Sequence, residues 1–100
     1  MKQRAVVYAP EALQDLIDLY DRIAGCAAPA VAAGCLGRIG AFCANLPFAS
    51  ERGRRRDDIR PGLRIIGFER RVTIAFSVEE RSVTILRLFY GGVDWEAKLS

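Results

Sequence analysis

The side chains best able to do chemistry in this sequence are arginines. Arg52, Arg54, Arg55, Arg56, Arg60 and Arg64 crowd one stretch against only Asp57 and Asp58, although the chain as a whole carries a net charge of just +3. A cluster of this kind suits a polyanion, an acidic protein surface or a solvated loop, and composition does not choose among them. No histidine is present. That removes the default general acid–base near neutral pH and every Ser-His or Cys-His nucleophile pair. Phosphoryl chemistry on RNA would then fall to arginines and a tyrosine that stabilise a phosphorane-like transition state, with Arg64, Arg87 and Tyr90 as the candidates.

Arg87 is the most informative of these. It lies in a run with Val83, Ile85 and Phe89, and alternation puts all four on one strand face, where an unpaired charge is costly. It therefore needs either an anionic ligand or one of the chain's own carboxylates. Trp95, beside Val93 and Leu99, reads as a lid over the core or as an anchor offered to a partner. Gly91-Gly92 has neither the spacing nor the lysine of a phosphate-binding loop and reads as a strand terminator. The three cysteines are odd in number and lack C-x-x-C spacing, so disulfide and metal readings are poor and no metal or cofactor is expected. Cys35 and Cys43 fall on an apolar helical stripe and read as small core residues, whereas Cys26 sits in a turn.

Elements that would hold these residues follow from periodicity. Arg4 to Tyr8 is a short β-prone run stopped by Ala9-Pro10. Pro10 suits the first turn of a helix, and Ala12, Leu13, Leu16, Ile17, Tyr20, Ile23 and Ala24 then recur at three- and four-residue steps opposite a mostly acidic face, up to Gly25. Pro29 opens a second helix with the stripe Ala32, Cys35, Leu36, Ile39, Phe42, Cys43 and Leu46, halted at Asn45-Leu46-Pro47. The two should pair as an antiparallel hairpin. Gly34, Gly37, Ala41 and Ala44 leave room for another backbone to approach the second helix, or for that helix to sit close over its own sheet. Residues 48–59 form a loop.

Beyond the loop the period becomes two. Leu63 to Phe68, Val72 to Val78 and Val83 to Tyr90 read as three consecutive strands joined by turns at 69–71 and 79–81. Val93 to Leu99 forms a last helical turn or an extended tail. The expected fold class is α+β, in the order β-α-α-β-β-β, with an antiparallel sheet and a helical hairpin on one face, as one domain over residues 1–100. The sheet's second face also carries apolar side chains, which predicts cover from a partner chain. The N-terminus has no apolar stretch of signal-peptide or membrane-span length, so the expected location is cytoplasmic, without membrane partners.

Three blocks carry a family resemblance. Asp57-Asp58-Ile59-Arg60-Pro61-Gly62-Leu63-Arg64 resembles the segment that opens the sheet of ParE-type toxins in the RelE/ParE superfamily. Tyr8-Ala9-Pro10-Glu11-Ala12 with Asp15-Leu16 is similar to their strand-to-helix junction, and Ile85 to Asp94 to their final strand and its exit. The resemblance covers nearly the whole chain. It implies a type II toxin–antitoxin toxin, neutralised as a hetero-oligomer by a ParD-like antitoxin and causing growth arrest by inhibiting DNA gyrase. Such a toxin is not an enzyme and has no sequence-specific nucleic-acid contact of its own. Two departures stand out: Ala9 replaces the usual serine helix cap, and Val93 replaces an arginine that often precedes the aspartate.

In the ribonuclease branch of the superfamily basic residues occupy the third strand and the segment just after the last strand, with a tyrosine or histidine near the C-terminus. Thr73, Gly91 and Gly92 stand in those places, and no tyrosine follows Tyr90. Ribosome-dependent cleavage of messenger RNA is the alternative, and a non-toxic antitoxin-binding module a further one. The residues expected to meet antitoxin or target are Arg56, Arg60, Arg64, Arg87, Tyr90 and Trp95.

Overall fold

In the computed structural model residues 5–48, 53–69, 71–91 and 95–99 are described. Arg4 of the first strand, Arg52 of the basic run, Arg70 of the 69–71 turn and Gly92-Val93-Asp94 lie outside the described residues. The elements are β1 (Ala5–Tyr8), α1 (Pro10–Cys26), α2 (Pro29–Asn45), a 3-10 turn (Leu46–Phe48), β2 (Arg54–Arg55), β3 (Leu63–Phe68), β4 (Val72–Val78), β5 (Ser82–Tyr90) and α3 (Trp95–Leu99). The expected order is all there. Within the 48–59 loop, however, two residues pair as β2, and β1 joins the sheet parallel to β5 rather than antiparallel. The strand order is β1-β5-β4-β3-β2.

Both long helices start in the same way. Ala9 and Ala28 stand extended at the N-caps without a side-chain cap, followed by Pro10 and Pro29 in the first turn. Proline is tolerated there because the first helical N–H groups have no partner to lose. The first helix runs one residue beyond Gly25, so Cys26 belongs to its last turn rather than to the connecting turn, and the Ala27 N–H closes it on the Ile23 carbonyl at 2.8 Å.

The hairpin of α1 and α2 lies on one sheet face. Ala12 and Leu19 from α1 and Ile39 and Cys43 from α2 pack with Val72, Ile74 and Phe76 of β4 and Val83, Ile85 and Leu88 of β5. The apolar alternation of β4 is thus all spent on the helix side. Phe42 meets Phe68 with ring centroids 4.9 Å apart. Cys43, fully buried as its stripe position implied, shares a side-chain hydrogen bond with Tyr8, and burial pushes both its thiol and the Tyr8 hydroxyl above their ordinary values. A Cβ at Gly37 would meet nothing within 4 Å and one at Gly34 only the end of the Arg38 side chain at 3.7 Å, so the helix does not sit close over its own sheet at these two positions.

The second face departs from the sequence expectation. Leu63, Ala75 and Phe89 are buried there by α3 and the 56–62 loop, with Leu99, Trp95 and Ile59 supplying the cover. No partner chain is needed to hide this cluster. The expectation failed because periodicity in a five-residue helix is too brief to distinguish it from a tail.

A second correction concerns Arg87. Opposite Phe76 stands Ile85, but opposite the adjoining Ala75 stands Arg87, so Leu86 is an inserted bulge residue. One extra residue inverts the alternation beyond it. Val83 and Ile85 therefore face the helices with Leu88 and Tyr90, while Leu86 and Phe89 belong to the second face. The grouping of Arg87 with Val83 and Ile85 on one face does not hold.

Candidate functional site

Two constellations involve the candidate residues. The first sits where β5 outruns its neighbour. β1 ends at Tyr8, paired with Ile85, and leaves the next stretch of β5 without a strand on that side. Asp15 of α1 fills the gap: its Oδ2 accepts the Leu88 N–H at 2.9 Å and the Arg87 Nε–H at 2.7 Å, and its Oδ1 accepts Arg87 Nη2–H at 3.1 Å. The fork-on-carboxylate geometry is the strong form of an ion pair. It is also sheltered, Asp15 being 12% and Arg87 29% exposed. The Asp15 hydrogen bond raises the Arg87 guanidinium further above its ordinary value, against the lowering effect of burial. Arg87 therefore has its carboxylate within the chain.

Around this pair opens a cleft of about 360 Å³, lined also by Asp18, Arg22, Tyr90 and Lys98. The Arg22 guanidinium lies 5.5 Å from the centre of the Tyr90 ring, which is half-buried against the helix-side core. Arg87 similarly lies 5.0 Å over Phe89.

The second constellation holds α3 on the sheet. Arg56 donates Nη2–H to Asp58 at 2.9 Å and to Glu96 at 3.0 Å, and its guanidinium lies 5.3 Å over the Trp95 ring. Loop and terminal helix are thereby latched together. The guanidinium also holds the Asp58 carboxyl below its ordinary value. The local chain is built for this: Arg60-Pro61-Gly62-Leu63 closes a turn with the Leu63 N–H on the Arg60 carbonyl at 3.1 Å, and Gly62 takes φ +80. Proline then glycine at the two central positions is what a type II turn requires. Asp57 Oδ1 accepts the Gly62 N–H at 2.9 Å, and the Arg56 N–H reaches the Leu63 carbonyl at 2.8 Å.

The six candidate residues are not one site. Arg87 and Tyr90 share the cleft, and Arg56 and Trp95 share the latch. Arg60 stands exposed at the turn. Arg64, opposite Phe76, is four residues along β3 from Phe68, whose chain of partners leads through Val72 to Tyr90. At ~3.3 Å per residue that offset is about 13 Å along the strands, with two strand spacings of ~4.8 Å added across them. Arg64, Arg87 and Tyr90 do not converge on one reacting group.

Asp15, Arg22 and Glu96 were not singled out by sequence reasoning. For Asp15 a signal existed: it falls three residues after Ala12 and four before Leu19, both buried, so it borders the core stripe rather than the middle of the acidic face. For Arg22 and Glu96 only the folded chain supplies the partner. Among the described residues no group of acids and cysteines could hold a metal ion, and no helix is long and apolar enough to cross a membrane.

The five-stranded mixed sheet with its helical hairpin is similar to a solved structure, the chromosomal ParDE TA system from P. aeruginosa, with a TM-score of 0.76. Identity is 23% over 89% of this chain and 97% of that one, a likeness of fold. A family model described as the ParE toxin of the type II toxin–antitoxin system, parDE, matches residues 6–95. The chain belongs to this ParE toxin family. No curated protein matches it in sequence.

Proposed function

We propose that this toxin acts by binding rather than by cutting: it inhibits DNA gyrase and is held inactive by a ParD-like antitoxin. The observation that carries the reading is the dispersal of Arg64, Arg87 and Tyr90, the candidates for RNA cleavage. Arg87 is committed to Asp15, and Arg64 lies at the other end of the sheet from Tyr90. There is no histidine to serve as general base, and the carboxylate beside Arg87, that of Asp15, is engaged by the guanidinium and by the Leu88 N–H. Membership of the ParE family supports gyrase as the target and a co-expressed antitoxin as the neutralising partner. Arg56, Arg60, Arg64, Arg87, Tyr90 and Trp95 are proposed to serve these contacts, with Arg87, Arg56 and Trp95 acting chiefly by holding their surroundings in shape.

The test is a supercoiling assay with purified gyrase and the full chain. Loss of supercoiling with accumulation of cleaved DNA is the expected outcome. Unchanged supercoiling, together with cleavage of messages on translating ribosomes, would move the protein to the ribonuclease reading. Normal growth on induction without antitoxin would leave only an antitoxin-binding module.

A further inference from the structure

Positive charge gathers along one edge of the sheet. β2 is its outermost strand, beside β3. Arg54, Arg55 and Arg60 are all exposed there, and Arg64 stands directly opposite Arg55. The Arg56 N–H bonds the Leu63 carbonyl, which makes Arg56–Leu63 a hydrogen-bonded pair and Arg55–Arg64 the closer, non-hydrogen-bonded kind. Like charges set opposite each other are destabilising and draw an anion to the gap. Asp57 supplies one to Arg55 at 3.1 Å, but that pair is 65% and 49% exposed and therefore weak. The same register turns the Arg55 N–H outward from the edge, a further donor for an anion.

The acids nearby do not balance this edge. Asp58 and Glu96 both serve Arg56, and among the described residues neither Arg54 nor Arg60 has a carboxylate partner. Acidic charge lies elsewhere: α1 carries Glu11, Asp15, Asp18 and Asp21 against Arg22 alone. That helix packs on β5, which is three strands from β2, about 14 Å at ~4.8 Å per spacing. Charge separated in this way orients the chain on a polyanion with the β2 edge foremost.

Which polyanion follows from what the edge lacks. Protein interfaces bury an apolar centre, but the large apolar side chains exposed among the described residues are Val7, Leu13, Ile17 and Val31, all outside this edge. Single strands are held by stacking their bases on aromatic rings, and the nearby Trp95 ring already lies beneath the Arg56 guanidinium at 5.3 Å. Guanidinium forks without either accompaniment match a phosphate backbone whose bases are not read. We infer that the β2 edge binds the phosphodiester backbone of duplex nucleic acid through Arg54, Arg55, Arg60 and Arg64, without sequence preference. This goes beyond inhibition of gyrase and is measured on the chain alone.

The test is fluorescence anisotropy of the full-length protein with a short labelled DNA duplex across a salt series, with an RNA duplex of equal length to distinguish the two sources of such a backbone. Binding of either supports the inference, and the tighter names the source. Log affinity should fall linearly with log salt, with a slope of about −3 to −4 for four phosphates at ~0.9 each. Arg54→Gln and Arg60→Gln should each weaken binding and flatten the slope by about 1, while Arg54→Lys and Arg60→Lys should keep it. Arg71→Gln, in the turn at the far end of β3, should bind as the parent does. All these side chains are exposed, so melting temperatures should not change.

No binding of either duplex at low salt, binding indifferent to salt, or parental binding by both glutamine variants overturns the inference. So does better competition by a single strand, which would make the bases the ligand, or by polyglutamate, which would make an acidic protein surface the partner. Failure of the edge and failure of the functional reading are separable. Duplex binding by a chain that leaves gyrase supercoiling intact sinks the gyrase reading only; inhibition of gyrase by a chain that retains no duplex sinks the edge only.

Discussion

The two faces of the sheet are sealed by different physics. On the helix side two helices of 17 residues cover a continuous cluster in which Phe76, Ile74, Ile85, Val83, Ile39 and Cys43 are all completely buried. On the other side a five-residue helix covers Leu63, Ala75 and Phe89 and is tethered by one arginine, one indole and two exposed carboxylates. Hydrophobic area stabilises the first and is not weakened by charge screening; the second adds exposed ion pairs that solvent and salt screen. The lesson is that a small sheet can close both faces within one chain and still leave them unequal. Opening α3 should cost far less than opening the hairpin.

Truncating the helix-side core should have the largest effect. Phe76→Ala removes a ring with no exposure, and a loss of about 3–5 kcal/mol is expected. At ~4–8 °C per kcal/mol for a domain of this size, the melting temperature should fall by at least about 12 °C. A smaller drop would show the two faces to be more alike than their packing implies.

Asp15→Ala comes next, since it strands a sheltered guanidinium and the Leu88 N–H together. About 2–3 kcal/mol is expected by denaturant titration, below the full cost of a deeply buried pair because Arg87 remains partly solvated. Asp15→Asn, which can still accept from Leu88, should recover part of that loss.

Leu99→Ala tests the second face directly. About 2 kcal/mol is expected at the low end of core truncations, and hydrogen exchange should rise at Leu63, Ala75 and Phe89 before it rises at Phe76. Uniform acceleration across all four amides would make the sheet one cooperative unit and erase the contrast. Gly53→Ala is of similar size, because Gly53 has φ +87 and a Cβ there would sit 2.8 Å from the Ile65 carbonyl oxygen, so β2 must shift or detach.

The smallest effects are those of pH, and they differ in sign between the faces. Tyr8, packed on the helix side, has its hydroxyl raised chiefly by burial; its contribution is complete below the ordinary value of 10.0 and declines as the pH rises beyond it. Tyr8→Phe should flatten that alkaline decline. Asp58, on the latch, is lowered chiefly by its hydrogen bond with Arg56, so its contribution is complete above the ordinary 3.8 and is lost as the pH falls below it. Asp58→Asn should blunt only the acid limb.

How much of this was legible before folding depends on the length of each pattern. β3 and β4 appear with the expected bounds, and β5 differs by one residue, because alternation over six or more residues is hard to imitate. The Asp57-to-Arg64 block was recognisable, and its turn chemistry explains it: Asp57 binds Gly62, and Pro61-Gly62 closes the turn. A two-residue β2 and a five-residue α3 carry too little period to read. The candidate residues were individually well placed near charge and cleft, but their grouping was not visible, since Arg56 meets Glu96 across 40 positions and Arg87 meets Asp15 across 72.

Local composition determined the elements, the absence of histidine chemistry and the membership of a toxin family, because helix stripes, strand alternation and turn residues are set by neighbours a few positions away. Which charges are spent inside the molecule was decided only by tertiary structure. A single bulge at Leu86 inverted the faces of β5, and the early end of β1 gave Asp15 its place beside Arg87. Register and edge position are properties of strands meeting in space, and no stretch of one strand contains them.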